Sequence, residues 1–198
     1  MSVESAPAVD GSTARRPVSR RAAGIGAAGA TLQVLGGVLE TIDRVKAGEP
    51  GFALRTVVMA VAYVLILVMV LAIARSGVAS HGKLARYGLV MVIAGWALSV
   101  VAQLALRTSV DLAEQVLFPT ATIMIGAGML VAGTAVLRAG RCRGWRRWAP
   151  LLCGLYPFAV VFPVFAAKGE PDFLVLSGWG ACWLAVAFAL LGATDAGS

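Results

Sequence analysis

Charge is scarce in this chain. Asp, Glu, Lys and Arg make up 14% of its 198 residues, against about 25% in a soluble globular domain. With 59% of the residues hydrophobic, a water-soluble fold of this length is excluded, because small domains leave much of their surface wet. Histidine is scarcer still. His81 stands alone in a loop, which rules out two-histidine haem ligation, a His-Glu-x-x-His zinc site and a Ser–His dyad at the outer leaflet. Cys142, Cys153 and Cys182 form no Cys-x-x-Cys and no metal spacing, and the last two lie in apolar runs, where cysteine behaves as a small hydrophobe. A phosphate-cradling glycine loop ending in Lys-Ser/Thr is absent, as are paired aspartates for a magnesium-bound diphosphate. Ser177-Gly178 lacks the upstream glycine and the histidine of an intramembrane serine protease. No metal and no cofactor is therefore expected. Lysine is rare as well, at Lys46, Lys83 and Lys168 among 17 basic residues. The arginine excess, with abundant Ala, Gly and Val, points to a GC-rich bacterial genome and hence a bacterial plasma membrane.

What is present is apolar sequence in long runs. Six of them, at 22–39, 56–74, 87–106, 116–137, 149–167 and 173–191, each approach the roughly 20 residues that carry a helix across about 30 Å of hydrocarbon. Continuous runs of this length are helices, because strands of a membrane barrel alternate every second residue. The expected fold class is an all-α integral membrane protein, a compact bundle of six transmembrane helices spanning 20–192. A polar tail at 1–19, with Pro7, Pro17 and no apolar periodicity, reads as disordered, and 193–198 as a short C-terminal tail. The run at 56–74 is the strongest span, with no charged residue. The run at 22–39 is the weakest, with five glycines, Thr31 and Gln33.

The charges between the runs give an orientation. With the N-terminus inside, the inner segments hold Arg15, Arg16, Arg20, Arg21, Arg75, Lys83, Arg86, Arg138, Arg141, Arg143, Arg146 and Arg147, while the outer side holds Arg44, Lys46, Arg55, Arg107 and Lys168. Basic residues are retained on the cytoplasmic face, so both termini are expected there. The net charge of +7 is thus spread over loops that face anionic headgroups, which speaks against nucleic acid as a partner. Glu40, Asp43, Glu49, Asp111, Glu114, Glu170 and Asp172 all fall outside. Arg20-Arg21 followed by Ala- and Gly-rich sequence has the look of a twin-arginine export signal, but it lacks apolar residues directly after the arginines. Cleavage there would leave five helices with the same orientation.

Lipid supplies no hydrophobic drive between helices, so association depends on close backbone approach. Small residues recur at every fourth position in Ala22/Gly26/Ala30, Thr122/Gly126, Gly128/Ala132 and Ala181/Ala185/Ala189, a pattern expected to serve packing within one bundle more than a homo-oligomer seam. Pro157 and Pro163 should kink the fifth helix. Trp145, Arg146, Arg147 and Trp148 form a candidate lipid-headgroup anchor, with indoles at headgroup depth and guanidiniums toward phosphate.

Candidate ligand- or partner-binding residues lie at the outer boundary. Gly95, Ser99, Gln103 and Arg107 share one helical face, and Gln33 and Glu40, seven apart, share another. Glu40 and Glu114 are expected to pair with Arg55 and Arg107, above Gln33 and Gln103, which satisfy each other or a helix backbone. Ionisable groups this close to hydrocarbon are costly and often functional, while long side chains near helix ends also reach water cheaply. Three functions stay open: a non-enzymatic component binding a partner membrane protein or lipid, ranked first; a small transporter; and an enzyme acting on a lipid or isoprenoid through Glu40 or Glu114.

Overall fold

The computed structural model describes residues 19–45, 48–76, 82–139 and 144–195. The expected N-terminal tail and the basic residues Arg15, Arg16, Lys46, Arg141 and Arg143, with His81 and Cys142, fall outside the described residues. Six helices are long and apolar enough to cross a bilayer, and there is no strand among the described residues. They are α1 (Arg20–Ile42), α2 (Phe52–Ser76), α3 (Lys83–Ala105), α4 (the consecutive pieces Val110–Leu112, Ala113–Leu117 and Phe118–Ala139), α5 (Ala149–Lys168) and α6 (Phe173–Asp195). Each contains most of one apolar run and extends beyond it, since backbone hydrogen bonding carries a helix past the apolar stretch that hydropathy picks out. The last one runs three residues into the stretch expected as a tail.

Local chemistry sets several boundaries. Ser19 caps α1, its hydroxyl accepting from the Ala22 amide at 3.2 Å. Gly169, at φ 72°, ends α5 in the left-handed conformation. Asp172 opens α6, its carboxylate accepting from the amides of Leu174 and Val175 at 3.0 and 3.1 Å.

The two faces of α1 touch α2 and α6, α3 sits between α2 and α4, and α5 lies against α4. The core centres on Trp96, Trp183, Ile66, Met69 and Ile125, all essentially inaccessible. Large apolar side chains such as Leu39, Val57, Val90, Val101 and Phe188 are exposed around the outside, which suits a lipid solvent and would be intolerable in water. The small-residue rows of α1 and α4 do pack inside the bundle. Gly88 and Gly128 bring α3 and α4 into backbone contact, for a Cβ added to Gly128 would lie 2.5 Å from the Gly88 carbonyl oxygen. On α6 the row is only partly used, and Ala181 faces outward.

The helices α4 and α5 share a device. Each contains one π-helical turn, Ala113–Leu117 and Pro157–Val161, and each turn runs straight into a Phe-Pro pair, Phe118-Pro119 and Phe162-Pro163. A proline ring clashes with the carbonyl four residues back. For Pro119 and Pro163 that carbonyl belongs to Gln115 and Ala159, inside the widened turn, which moves it aside. Pro157 frees the Cys153 carbonyl, and the Trp179 indole N–H donates to that oxygen at 3.2 Å.

Candidate functional site

The ends of the bundle differ. One carries Arg20, Arg86, Arg138, Arg146 and the helix termini Ser19 and Asp195; the other carries Glu40, Arg55, Glu114 and the short 169–172 loop. At the Glu40 end a cavity of about 250 Å³ opens between all six helices. Three causes keep it open. Gly36 on α1 adds no side chain against Met59 on the wall. The widened turn of α4 keeps Glu114, Phe118 and Thr122 aligned on its wall. Beyond its own widened turn the last piece of α5, Phe162–Lys168, has no extensive backbone packing against another helix, and it contributes Phe162 and Phe165 to the wall.

The walls are aromatic. Tyr63, Trp96, Phe118, Phe162, Phe165, Phe173 and Trp179 line the cavity, nearly half of the 5 Trp, 3 Tyr and 7 Phe in the chain. Trp96 anchors the floor, stacked on Trp179 at 6.1 Å, tilted against Tyr63 at 5.3 Å and edge-on to Trp183 at 5.3 Å. Such contacts hold the rings in fixed orientations.

The polar groups fall into two sets. Some are spent on structure: Ser99 and Thr122 donate to the Gly95 and Phe118 carbonyls one turn back, and Ser177 donates to the carbonyls of Val34 and Phe173. Tyr156, unnoticed in the sequence, donates across to the Val175 carbonyl at 3.0 Å. The others face the cavity. Gln33 and Gln103 line it, at 5% and 4% exposure, but the amide oxygen of Gln33 is buried with no hydrogen-bond partner. The expectation that the two glutamines satisfy each other or a backbone is therefore not met for Gln33. The indole N–H of Trp96 is likewise buried without an acceptor. A buried polar atom left unpaired costs about 1–3 kcal/mol, which a donor brought by a ligand or a water would recover for Gln33.

At the rim the expected cluster is half formed. Glu40 and Arg55 make an ion pair; Arg55 also donates to the Val45 carbonyl at 3.1 Å and lies over the Phe52 ring at 5.1 Å. Glu40, at 8% exposure, is well placed for such a partner. The second pair, Arg107 with Glu114, is absent among the described residues. The helix α3 stops at Ala105, and the following turn at 106–108 carries Arg107 off the Gly95–Ser99–Gln103 face into an exposed position. Spacing along a helix fixes direction only while the helix lasts. Glu114 does line the cavity, exposed at its mouth. Two further ion pairs close this end, Arg44 with Glu170 at 3.3 Å and Lys168 with Asp172. The Lys168 ammonium and the Val175 amide hold the Asp172 carboxyl below the usual carboxylate range.

At the opposite end Trp145 and Trp148 are exposed, and Arg147 lies over the Trp148 ring at 5.4 Å, compatible with a headgroup anchor. Arg146 is used differently: it donates to the Gly192 carbonyl at 2.8 Å, capping the last turns of α6. Among the described residues there is no cluster of His, Cys, Asp and Glu able to hold a metal ion.

Compared with known protein families, curated proteins and solved structures, the chain matches none, so its function is read from its own geometry.

Proposed function

We propose that this chain is a multi-pass protein of a bacterial plasma membrane that binds a small amphipathic molecule, a lipid or a lipid-soluble ligand, in the cavity at its outward-facing end, without performing chemistry on it. The observation that carries the reading is the aromatic-walled cavity of about 250 Å³ with the unpartnered Gln33 amide on its wall. Binding sites are concave, mainly apolar, and hold a few polar groups that fix orientation. A cavity of this size suits a small molecule or one end of a longer one. The orientation rests on the arginines gathered at the Arg146 end. Catalysis has less support, since Glu40 is held by Arg55 and the hydroxyls nearby are engaged with backbone.

A second reading, a small transporter, is favoured by one feature: the outer piece of α5 lies beyond a π turn flanked by prolines and is little packed, as an element that swings aside to admit a ligand would be. Mass spectrometry of the protein, extracted mildly and kept native, tests both. Wild type is expected to carry a retained small molecule or lipid, and Thr122→Phe, which fills the cavity, to lose it with the fold intact. An empty cavity together with a stoichiometric second polypeptide overturns the ligand reading in favour of a partner-binding subunit. Flux in liposomes that Thr122→Phe abolishes supports transport.

A further inference from the structure

Among the described residues, four charged side chains line the cavity: Glu40, Glu114, Asp172 and, as the one cation of that set, Arg55. In a chain of net charge +7 this is a local reversal of sign. Glu40 and Arg55 cancel in their ion pair, and Asp172 is shared with Lys168. Glu114 is left as a carboxylate at the mouth with no ion pair among the described residues. Among the described residues, the neighbouring cation Arg44 is bound to Glu170 and lies over the Phe173 ring at 5.2 Å, and neither it nor Arg107 lines the cavity. Deeper in, Gln33 presents a buried oxygen that lacks a donor. The rings of Phe118, Phe162 and Phe165 line the same cavity as these two acceptors. A ring face is the negative pole of its quadrupole and attracts cations.

Resting on the ligand-binding reading above, we infer that the ligand is an amphipathic amine, with its ammonium held by Glu114 and the aromatic faces, or donated deeper to Gln33, and its apolar body against the rings. An anion would meet unfavourable charge at the mouth and, among the described residues, no free cation inside. A neutral apolar molecule would leave Gln33 unpaired. The shared chemistry is the ammonium, whether it belongs to a free amine or to the head of an amine-bearing lipid.

Three probes with one body separate the possibilities: phenethylammonium, its uncharged isostere propylbenzene, and the anion 3-phenylpropanoate. Each is titrated against the full chain in an uncharged maltoside micelle, read as a saturable shift of the thermal midpoint. Phenethylammonium is expected to bind at least tenfold more tightly than the other two. Glu114→Gln, an exposed substitution that leaves the fold intact, is expected to remove about tenfold of that preference. Adding phosphatidylethanolamine then distinguishes the sources: competition identifies a lipid headgroup, and its absence a free amine. Equal binding of propylbenzene, or tighter binding of the anion, overturns the amine assignment while leaving the cavity as a binding site. Binding of none of the probes, with nothing retained in native mass spectrometry, overturns the ligand reading itself.

Discussion

The two ends of this bundle are held together by different physics. Toward the Arg146 end, backbones touch. Gly88 meets Gly128, Gly133 meets Leu151, and Gly154 meets Leu130, each so closely that an added Cβ would fall within 3 Å of main-chain atoms. Toward the Glu40 end α1 still touches α6, where a Cβ on Gly37 would lie 2.8 Å from the Phe173 carbonyl oxygen, but a cavity opens between the helices and side chains tie them: Glu40 to Arg55, Arg44 to Glu170, Lys168 to Asp172, and Tyr156 to the Val175 carbonyl. Close backbone packing in lipid gives dispersion contacts and rigidity but no room. Polar ties span a gap and leave space for a ligand. The π turns sit where α4 and α5 border the cavity, and there the chain gives up regular helix for space.

If the polar ties hold the open end, cutting the best of them is the most damaging change. Arg55→Met strands Glu40 in an apolar setting and is expected to cost about 3 kcal/mol, the lower range for breaking a buried pair because Arg55 keeps partial access to water. Adding Glu40→Gln should recover much of the loss. Thermal or denaturant unfolding in detergent checks both, and a double variant no better than the single one would show that the tie is not electrostatic. On the packed end, Gly128→Ala is expected to cost about 2–3 kcal/mol through overpacking, because its Cβ would lie 2.5 Å from the Gly88 carbonyl oxygen. Gly36→Ala gives the matched contrast. Its Cβ would meet the Met59 sulfur, 2.6 Å away, and Met59 borders the cavity and has room to swing. A cost below about 1 kcal/mol is expected there. Similar penalties at Gly128 and Gly36 would erase the distinction between the ends.

The packed end was more legible in the sequence than the open one. Six spans follow from apolar runs alone, and the four-residue rows on α1 and α4 announced close approach. At the open end Glu40, Arg55, Gln33 and Gln103 were found because helical spacing holds along α1 and through most of α3. Arg107 was misplaced because the helix ends two residues before it, and no pattern of hydropathy marks that stop. Glu114 was expected to pair and instead lines the cavity unpaired. The aromatic walls were missed: seven rings on five helices converge only in three dimensions. One signal was available, the repeated Phe-Pro pair at 118–119 and 162–163. It marks both widened turns and two wall residues, more than the expected kinks at Pro157 and Pro163 convey.

The seam between the two ends offers a sharper test, with an intermediate effect. The Cys153 carbonyl, freed by Pro157, is taken up by the Trp179 indole. Trp179→Phe removes that donor and is expected to cost about 1–3 kcal/mol, as for a buried acceptor left unpaired. In a Pro157→Ala background the restored amide can bond Cys153, so the same change should cost about 1 kcal/mol less. An additive double-mutant cycle would mean that the indole and the proline are unrelated, and that the π turn in α5 has another cause.

The smallest effect concerns Asp172, the surface tie beside the cavity mouth. Its carboxyl is held below the usual range by Lys168 and by the amides it caps. The folded value therefore lies below the unfolded value of about 3.9. The stability it contributes is present above that pH and is lost as pH falls through the folded value. Asp172→Asn keeps a good helix cap but cannot titrate. Its thermal midpoint should therefore fall less than that of wild type between about pH 6 and pH 3. Other carboxylates titrate in the same window, so the difference between the two curves carries the information. Lys168→Met should shrink that difference, because Lys168 is the first cause of the shift. Parallel curves for wild type and Asp172→Asn would show that this tie adds nothing to the open end, leaving Glu40 with Arg55, Arg44 with Glu170 and Tyr156 with the Val175 carbonyl to hold it.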